Sequence, residues 1–539
     1  MSGAHVRRVR ALIRTSAKLT ETSVAYRTTS VPLVATTALL FSLAFACSSD
    51  PDSADGNTPA SFNGLNPSPG GQMSPQAQTE EGADPTDVDP AAVAPVEGGR
   101  TGEETPTEIA QPLMGGEVTS PPTGGETPPP GEMAPPGETP VPPPVQPPPP
   151  VAASPAVEDS GLDCARPQLP AAAQLPAIAA HPDPILMTNG TRISPRPEWT
   201  CRRAENKAQV EEYESGPKPA VNKDNVTGSF AGNRLTVSVN EQGRNISFNV
   251  DINRPAGANG AIPLLIGVGG SNLDNTVFSQ NGVAVANFDN NGMGAQAGGT
   301  SRGTGLFYTI YGNNHPASSM TAWAWGVSRV IDALEKTPGA NIDTSRIAVT
   351  GCSRNGKGAL LVGALDERIA LTIPQESGAG GSASFRVSQS DSAGGENVQT
   401  LSNAANEQPW FRANFGQNFG NGNVTRLPYD HHTVMGLVAP RALLVIDNQI
   451  DWLGIESSFT GGSIANRIWQ AFGEGDKMGY WQTTGHTHCA FPASQRNALQ
   501  AYVTKYLVGG GTADTNLLRG DGTTADLNRW VQWTAPTLQ

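Results

Sequence analysis

The sequence predicts an α/β fold with a mostly parallel sheet, confined to residues 158–539 of a 539-residue chain. Three observations carry that expectation. Short apolar runs alternate with helix-period segments, the pattern of strand–helix units built into a parallel sheet. Several of those runs end in glycine or an acid, at the strand ends where such sheets place ligands. Everything before residue 158 lacks the large apolar side chains that a core needs.

Taken from the start, residues 1–47 read as an export signal. The basic stretch HVRRVRALIRTSAK precedes the apolar run VPLVATTALLFSLAFA at 31–46, which is short for a membrane span and ends on small residues. Cys47, directly behind LAFA, resembles the lipid-accepting cysteine of a bacterial lipoprotein box. The expected destination is therefore the cell surface, as an outer-membrane lipoprotein, or the medium. Apart from such an anchor, no membrane contact is expected. Residues 48–157 are rich in Pro, Gly, Glu, Thr, Ser and Ala, and carry sixteen acidic residues against one Arg. They bury too little apolar surface to offset chain entropy, so a disordered, acidic, semi-rigid linker is expected. This linker accounts for the formal net charge of −14. The remaining domain is close to neutral, and nucleic-acid binding is set aside.

Within 158–539, residues 160–225 are Pro-rich and close in a short helix at ISPRPEWTCRRAENKAQVEEYESG. NRLTVSVNEQGRNISFNVDI alternates polar and apolar around a Gly turn and reads as a hairpin. AIPLLIGVGG (261–270) and GVAVANFD (282–289) are buried-type strands. Residues 320–334 place Met320, Trp323, Val327, Val330, Ile331 and Leu334 on one helical stripe, which assigns the tryptophans to the core. RIAVTG (346–351) is a strand and RNGKGALLVGAL behind it a helix. IALTIPQE (369–376), RALLVID (441–447) and GYWQT (479–483) are further strands, with helices at GGSIANRIWQAF and SQRNALQAYVTKYL.

The chemistry sits at the strand ends. TGCSRNGKGALL (350–361) is a near-match to the G-x-S-x-G nucleophile elbow, with the second glycine, Gly356, one residue late. An elbow presents Ser353 on a sharp strand-to-helix turn. A serine hydroxyl needs a base, and the base an orienting acid. In the α/β-hydrolase order of Ser, acid, His, Glu376 at the end of the next strand and His488 in GHTHCAFP fill the two places. His486 and His488 alone make a weak metal pattern, and neither a metal nor a cofactor is expected. The backbone N–H and side chain of Arg354 are candidate donors to an oxyanion, and Lys357, one turn on, to a sugar hydroxyl.

Setting Cys47 aside leaves Cys164, Cys201, Cys352 and Cys489. An even number in an exported domain suggests two disulfides with three possible connectivities. Nearest-in-sequence pairing gives Cys164–Cys201 and Cys352–Cys489. If Ser353 and His488 meet, their neighbours Cys352 and Cys489 come within bridging distance.

GCSRNGKGA, PQESGAGG, DWLG and HTHCAFP, with residues 301–335 and CARPQLP…PDP near 164–184, closely resemble the glucuronoyl esterases of carbohydrate esterase family 15. The resemblance covers essentially all of 160–510. It implies an α/β-hydrolase that cleaves esters between 4-O-methyl-glucuronic acid on xylan and lignin alcohols, and the chain is expected to be a monomer. It implies Ser353 as nucleophile, His488 as base, Glu376 as acid and Arg354 as oxyanion donor, with Lys357, Gln399, Glu407 and Trp452 around the uronate ring. Some bacterial members take the acid from beyond the following strand, which keeps Asp447 and Asp451 as alternatives. Two other readings are a serine esterase for a different cell-wall ester, such as acetyl xylan, and a non-catalytic carbohydrate-binding surface protein.

Overall fold

The computed structural model describes residues 157–539. The export signal, Cys47 and the linker fall outside the described residues, apart from Val157. Ten strands form one sheet: β1 (Val226–Ala231), β2 (Arg234–Glu241), β3 (Arg244–Asn253), β4 (Ile262–Val268), β5 (Ala284–Phe288), β6 (Ile342–Cys352), β7 (Ile369–Gln375), β8 (Ala442–Asn448), β9 (Met478–Thr483) and β10 (Leu518–Arg519). Their order across the sheet is β1-β2-β3-β5-β4-β6-β7-β8-β9-β10. The edge formed by β1, β2, β3 and β5 is antiparallel. From β5 to β10 every pairing is parallel. This is the expected α/β-hydrolase class.

The central strands β4, β7 and β8 are buried at every position, because helices cover both faces. Side chains alternate between two cores. Leu264, Ile266, Val268, Ile347, Val349, Leu443 and Val445 face one side. There they pack with helices α1 (Trp199–Val210), α2 (Ser319–Glu335), α3 (Arg354–Leu365) and α4 (Ile455–Ala471). Leu265, Ala348, Leu371, Ile373, Leu444 and Ile446 face the other side, against Val277, Phe278 and helix α5 (Arg496–Tyr502). Trp323, on the stripe, and Trp325, off it, are both fully buried, as expected of core tryptophans, because α2 is buried on every side from Ser319 to Leu334. Among the described residues no helix is long and apolar enough to cross a membrane.

The structure departs from the sequence reading in three places. Strand β1, VTGSFA, is not anticipated, because its alternation is broken by Gly and Ser; it forms by pairing along its whole length with Arg234–Val239 of β2. The helix closing the Pro-rich region continues past α1 through Ser215. Helix α4 begins at Ile455, six residues before GGSIAN. Its polar-looking first turns are buried, with Ser388 Oγ donating to Ser457 Oγ at 3.0 Å, so tertiary packing overrides weak helix propensity.

Behind the sheet, the base of α2 holds a charge cluster. Asp332 accepts from Arg368 at 2.6 Å and pairs with Arg329 at 2.7 Å, and all three side chains are at most 2% exposed. Removing one partner of a buried pair leaves the others uncompensated. Asp332→Ala is expected to lower stability by about 3–5 kcal/mol, read as a fall in denaturant midpoint; a change within about 0.5 kcal/mol, as for surface positions, contradicts it.

Candidate active site

Strand β6 ends at Cys352 and α3 begins at Arg354, so Ser353 alone makes the turn. Its backbone lies at φ 58° and ψ −127°, a region that non-glycine residues adopt at a cost and that is enriched at functional sites. The Ser353 N–H donates to Gln375 O of β7 at 2.9 Å, which pins the turn to the sheet. The flanking glycines are required sterically. A Cβ at Gly351 would lie 2.4 Å from Asn355 O, and one at Gly356 would lie 2.6 Å from Gln375 O. The late second glycine thus serves the same purpose as in the usual elbow. Arg354 opens the helix, exposed, at the positive end of its dipole.

The loop after β9 carries His486, His488 and Cys489. It is tied to three consecutive strand ends. Cys489 is bonded to Cys352 at the end of β6, with Cα atoms 5.8 Å apart. Glu376, the first residue beyond β7, accepts from His488 Nδ1 and from the Cys489 N–H through the same oxygen, each at 2.8 Å. Asn448, the last residue of β8, donates to His486 O at 3.1 Å and lies 3.2 Å from His486 Nδ1. The second disulfide, Cys164–Cys201, ties the N-terminal segment to α1.

Glu376 is fully buried. Burial opposes its charge. The hydrogen bonds from His488 and from the Cys489 backbone, the His488 charge and the Gln375 amide together hold the carboxyl below its ordinary range. His488 is 41% exposed at its side chain. Among the described residues no hydrogen bond joins the Ser353 hydroxyl to His488. Cys352, Cys489 and His488 place three ligand-type atoms within 4.8 Å of one another. The two sulfurs are bonded to each other, so neither offers a thiolate to a metal.

The other two acids sit elsewhere. Asp447 is buried and accepts from Ser382 Oγ at 2.8 Å, its neighbour's N–H at 3.0 Å and Tyr480 OH at 3.2 Å. Burial, with the nearby Glu376 charge, pushes its carboxyl up to about 6 against the hydrogen bonds it receives. Asp451 is exposed at the start of a short turn. Of the three acids, Glu376 is the one against His488.

One turn along α3, Lys357 is 4% exposed and donates to Ser377 O at 2.5 Å and Gln399 Oε1 at 3.2 Å. Gln399 Nε2 in turn donates to Glu407 Oε2 at 2.9 Å. Burial, with Arg354 adding to it, brings the Lys357 ammonium down to about 8, although the Glu407 charge works against the shift. Gln399 N donates to Trp452 O at 2.9 Å, and the Trp452 ring is 40% exposed. Gln399 lies between two helices, Phe385–Ala393 and Leu401–Glu407, and Glu407 ends the second. Trp410, Gln296 and Asn448 also border the site and escape sequence reasoning. Asn448 alone carries a local signal, as a polar residue ending an apolar strand.

Two outcomes follow from this geometry. Removing the bridge with Cys352→Ser and Cys489→Ser reopens a loop spanning 137 residues, worth about 5 kcal/mol on the chain-entropy model. The double variant is expected to lose a large part of that in a denaturant titration; an unchanged midpoint contradicts the bridge. Asp447 has a folded-state pKa above its ordinary 3.8. It therefore favours folding at low pH and loses that contribution as the pH rises from 3.8 to about 6. Relative to wild type, Asp447→Asn is expected to gain stability across that window and to level off above it; a flat difference from pH 3 to 8 contradicts the assignment.

The chain is also similar to proteins of known activity. The family model described as "Glucuronyl esterase, fungi" matches residues 237–473. The 4-O-methyl-glucuronoyl methylesterase of Hypocrea jecorina is 46% identical over 370 residues, covering 69% of this chain and 78% of that protein. The protein of the same name from Podospora anserina is 44% identical over 381 residues, covering 69% and 77%. Among solved structures, the glucuronoyl esterase catalytic domain from Hypocrea jecorina superposes with a TM-score of 0.65 at 46% identity, covering 69% of this chain and all of that one. A mutant Sporotrichum thermophile glucuronoyl esterase, in complex with methyl 4-O-methyl-β-D-glucopyranuronate, gives 0.66 at 41% identity, covering 70% and 100%. The chain belongs to the glucuronoyl esterase family and is a carboxylic ester hydrolase.

Proposed function

We propose that this protein hydrolyses esters of 4-O-methyl-glucuronic acid through Ser353, His488 and Glu376. The observation that carries the reading is the buried Glu376 oxygen that accepts from both His488 Nδ1 and the Cys489 N–H. It fixes the imidazole tautomer, leaving Nε2 free to take a proton. Ser353 Oγ attacks the ester carbonyl as His488 Nε2 removes its proton. The carbonyl oxygen, now negative, is met by the Arg354 N–H at the start of α3 and by the Arg354 guanidinium; one such donor is worth about 3–4 kcal/mol. His488 passes the proton to the departing alcohol. Water, deprotonated by the same imidazole, then cleaves the acyl-enzyme and frees the uronic acid.

The sugar is held by Lys357, Gln399, Glu407 and Trp452. An ester is neutral, so donors and acceptors serve better than a cationic clamp. The Lys357–Gln399–Glu407 chain supplies both, and the half-exposed Trp452 ring offers a face for the pyranose and an N–H. The substrate class rests on the relatives' names and on the methyl glucuronate ester bound in a similar structure. The leaving alcohol in nature is read as a lignin alcohol on glucuronoxylan. Residues 158–539 are read as one catalytic domain behind a linker at 48–157. Export, to the medium or to a lipid anchor at Cys47, is consistent with two disulfides, which persist in oxidising compartments.

Ser353→Ala is expected to abolish hydrolysis of a benzyl or methyl 4-O-methyl-glucuronate ester while the melting curve stays intact; turnover near the wild-type rate contradicts the nucleophile. Wild type is expected to prefer that ester over acetylated xylan, and the opposite preference moves the substrate class. Among the acids, Glu376→Ala is expected to lower kcat far more than Asp447→Ala or Asp451→Ala; a reversed ranking transfers the role to the next strand.

A further inference from the structure

Arg354 is exposed at the start of α3, and among the described residues no carboxylate pairs with it. A long side chain in that setting samples many rotamers, and each one lost on substrate binding weakens the interaction. An oxyanion donor must instead be aimed beforehand. The Arg354 guanidinium carbon lies 5.7 Å from the centre of the Trp410 ring, within cation–π range. Lys357 Nζ lies 5.6 Å from the same centre.

The ring is itself fixed. Trp410 is 1% exposed. Its Nε1–H donates to Gln296 Oε1 at 2.8 Å. Gln296 Nε2 reaches Asn355 Oδ1 at 3.5 Å, and Asn290 Nδ2 donates to that same oxygen at 2.9 Å. Asn355 follows Arg354 directly in the chain. The ring is thus fastened to the same helical turn that carries the guanidinium.

We propose that Trp410, held in plane by Gln296, is a positioning residue that aims the Arg354 guanidinium at the ester carbonyl oxygen. The inference rests on the reading of Arg354 as an oxyanion donor. An aromatic face suits this task better than an acid. A carboxylate would engage the guanidinium N–H groups in a fork and neutralise the charge that the oxyanion needs. A π-face attracts the cation and leaves its in-plane N–H groups free. The Lys357 contact with the same ring predicts a second, separable effect, on sugar binding.

The test is a double-substitution cycle on a methyl 4-O-methyl-glucuronate ester, with kcat and KM measured separately. Trp410→Leu is expected to lower kcat about three- to tenfold, the range of a cation–π contact of moderate strength. Trp410→Phe, which keeps a ring face, is expected to recover part of that loss. In an Arg354→Met background, Trp410→Leu is expected to have little further effect on kcat, because the group it aims is gone. Any change that survives there is expected in KM, through Lys357. Gln296→Leu, which touches neither cation, is expected to show the same masking and serves if Trp410→Leu does not fold. Equal kcat losses with and without Arg354, or a loss confined to KM in both backgrounds, overturn the inference. A wild-type protein without activity on the ester overturns the functional reading and this inference with it; an active wild type with additive kcat losses overturns this inference alone.

Discussion

One carboxylate oxygen organises the site. Glu376 Oε2 accepts from an imidazole and from a backbone N–H one residue further along, each at 2.8 Å. A buried carboxylate without partners would protonate or force the chain apart. Here it remains ionised because the loop that needs orienting also supplies its hydrogen bonds. The acid at the end of β7 and the loop after β9 stabilise each other, so the charge and the geometry form together.

That pairing depends on where the sheet puts its ends. The parallel order β6-β7-β8-β9 brings Ser353, Glu376, Asn448 and the histidine loop to one edge, although they span more than a quarter of the chain. Two of these residues, Ser353 and Glu376, sit at positive φ, as does Cys489. The local strain at each is balanced by long-range ties to the sheet. Glu376, His488 and their loop are therefore joined to the sheet as one unit. The cationic part, Arg354 and Lys357, is arranged around the Trp410 ring.

Much of this is legible in sequence, for physical reasons that differ by residue. The elbow is legible because a strand, a serine, two glycines and a helix must be contiguous to make it. The parallel strands are legible because double-sided burial demands continuous apolar runs. Glu376 and His488 are legible only through chain order, since the residues themselves are ordinary. Gln296 and Trp410 are not legible, and Asn448 only as a polar residue ending an apolar strand: the partners of each are distant in sequence. Strand β1 and the first turns of α4 fail for the same reason. Their Gly and Ser residues carry weak local preference, and only pairing with β2 or packing beside Ser388 determines their state.

The bond between Cys352 and Cys489 also sets an order of events. Thiol groups in a reducing cytoplasm remain apart, and without their bond the histidine loop lacks one of its three anchors at the strand ends. A chain with both thiols reduced would carry every residue of the site yet hold His488 more loosely. Closing that bond in an oxidising compartment would then be the step that fixes the imidazole beside the elbow.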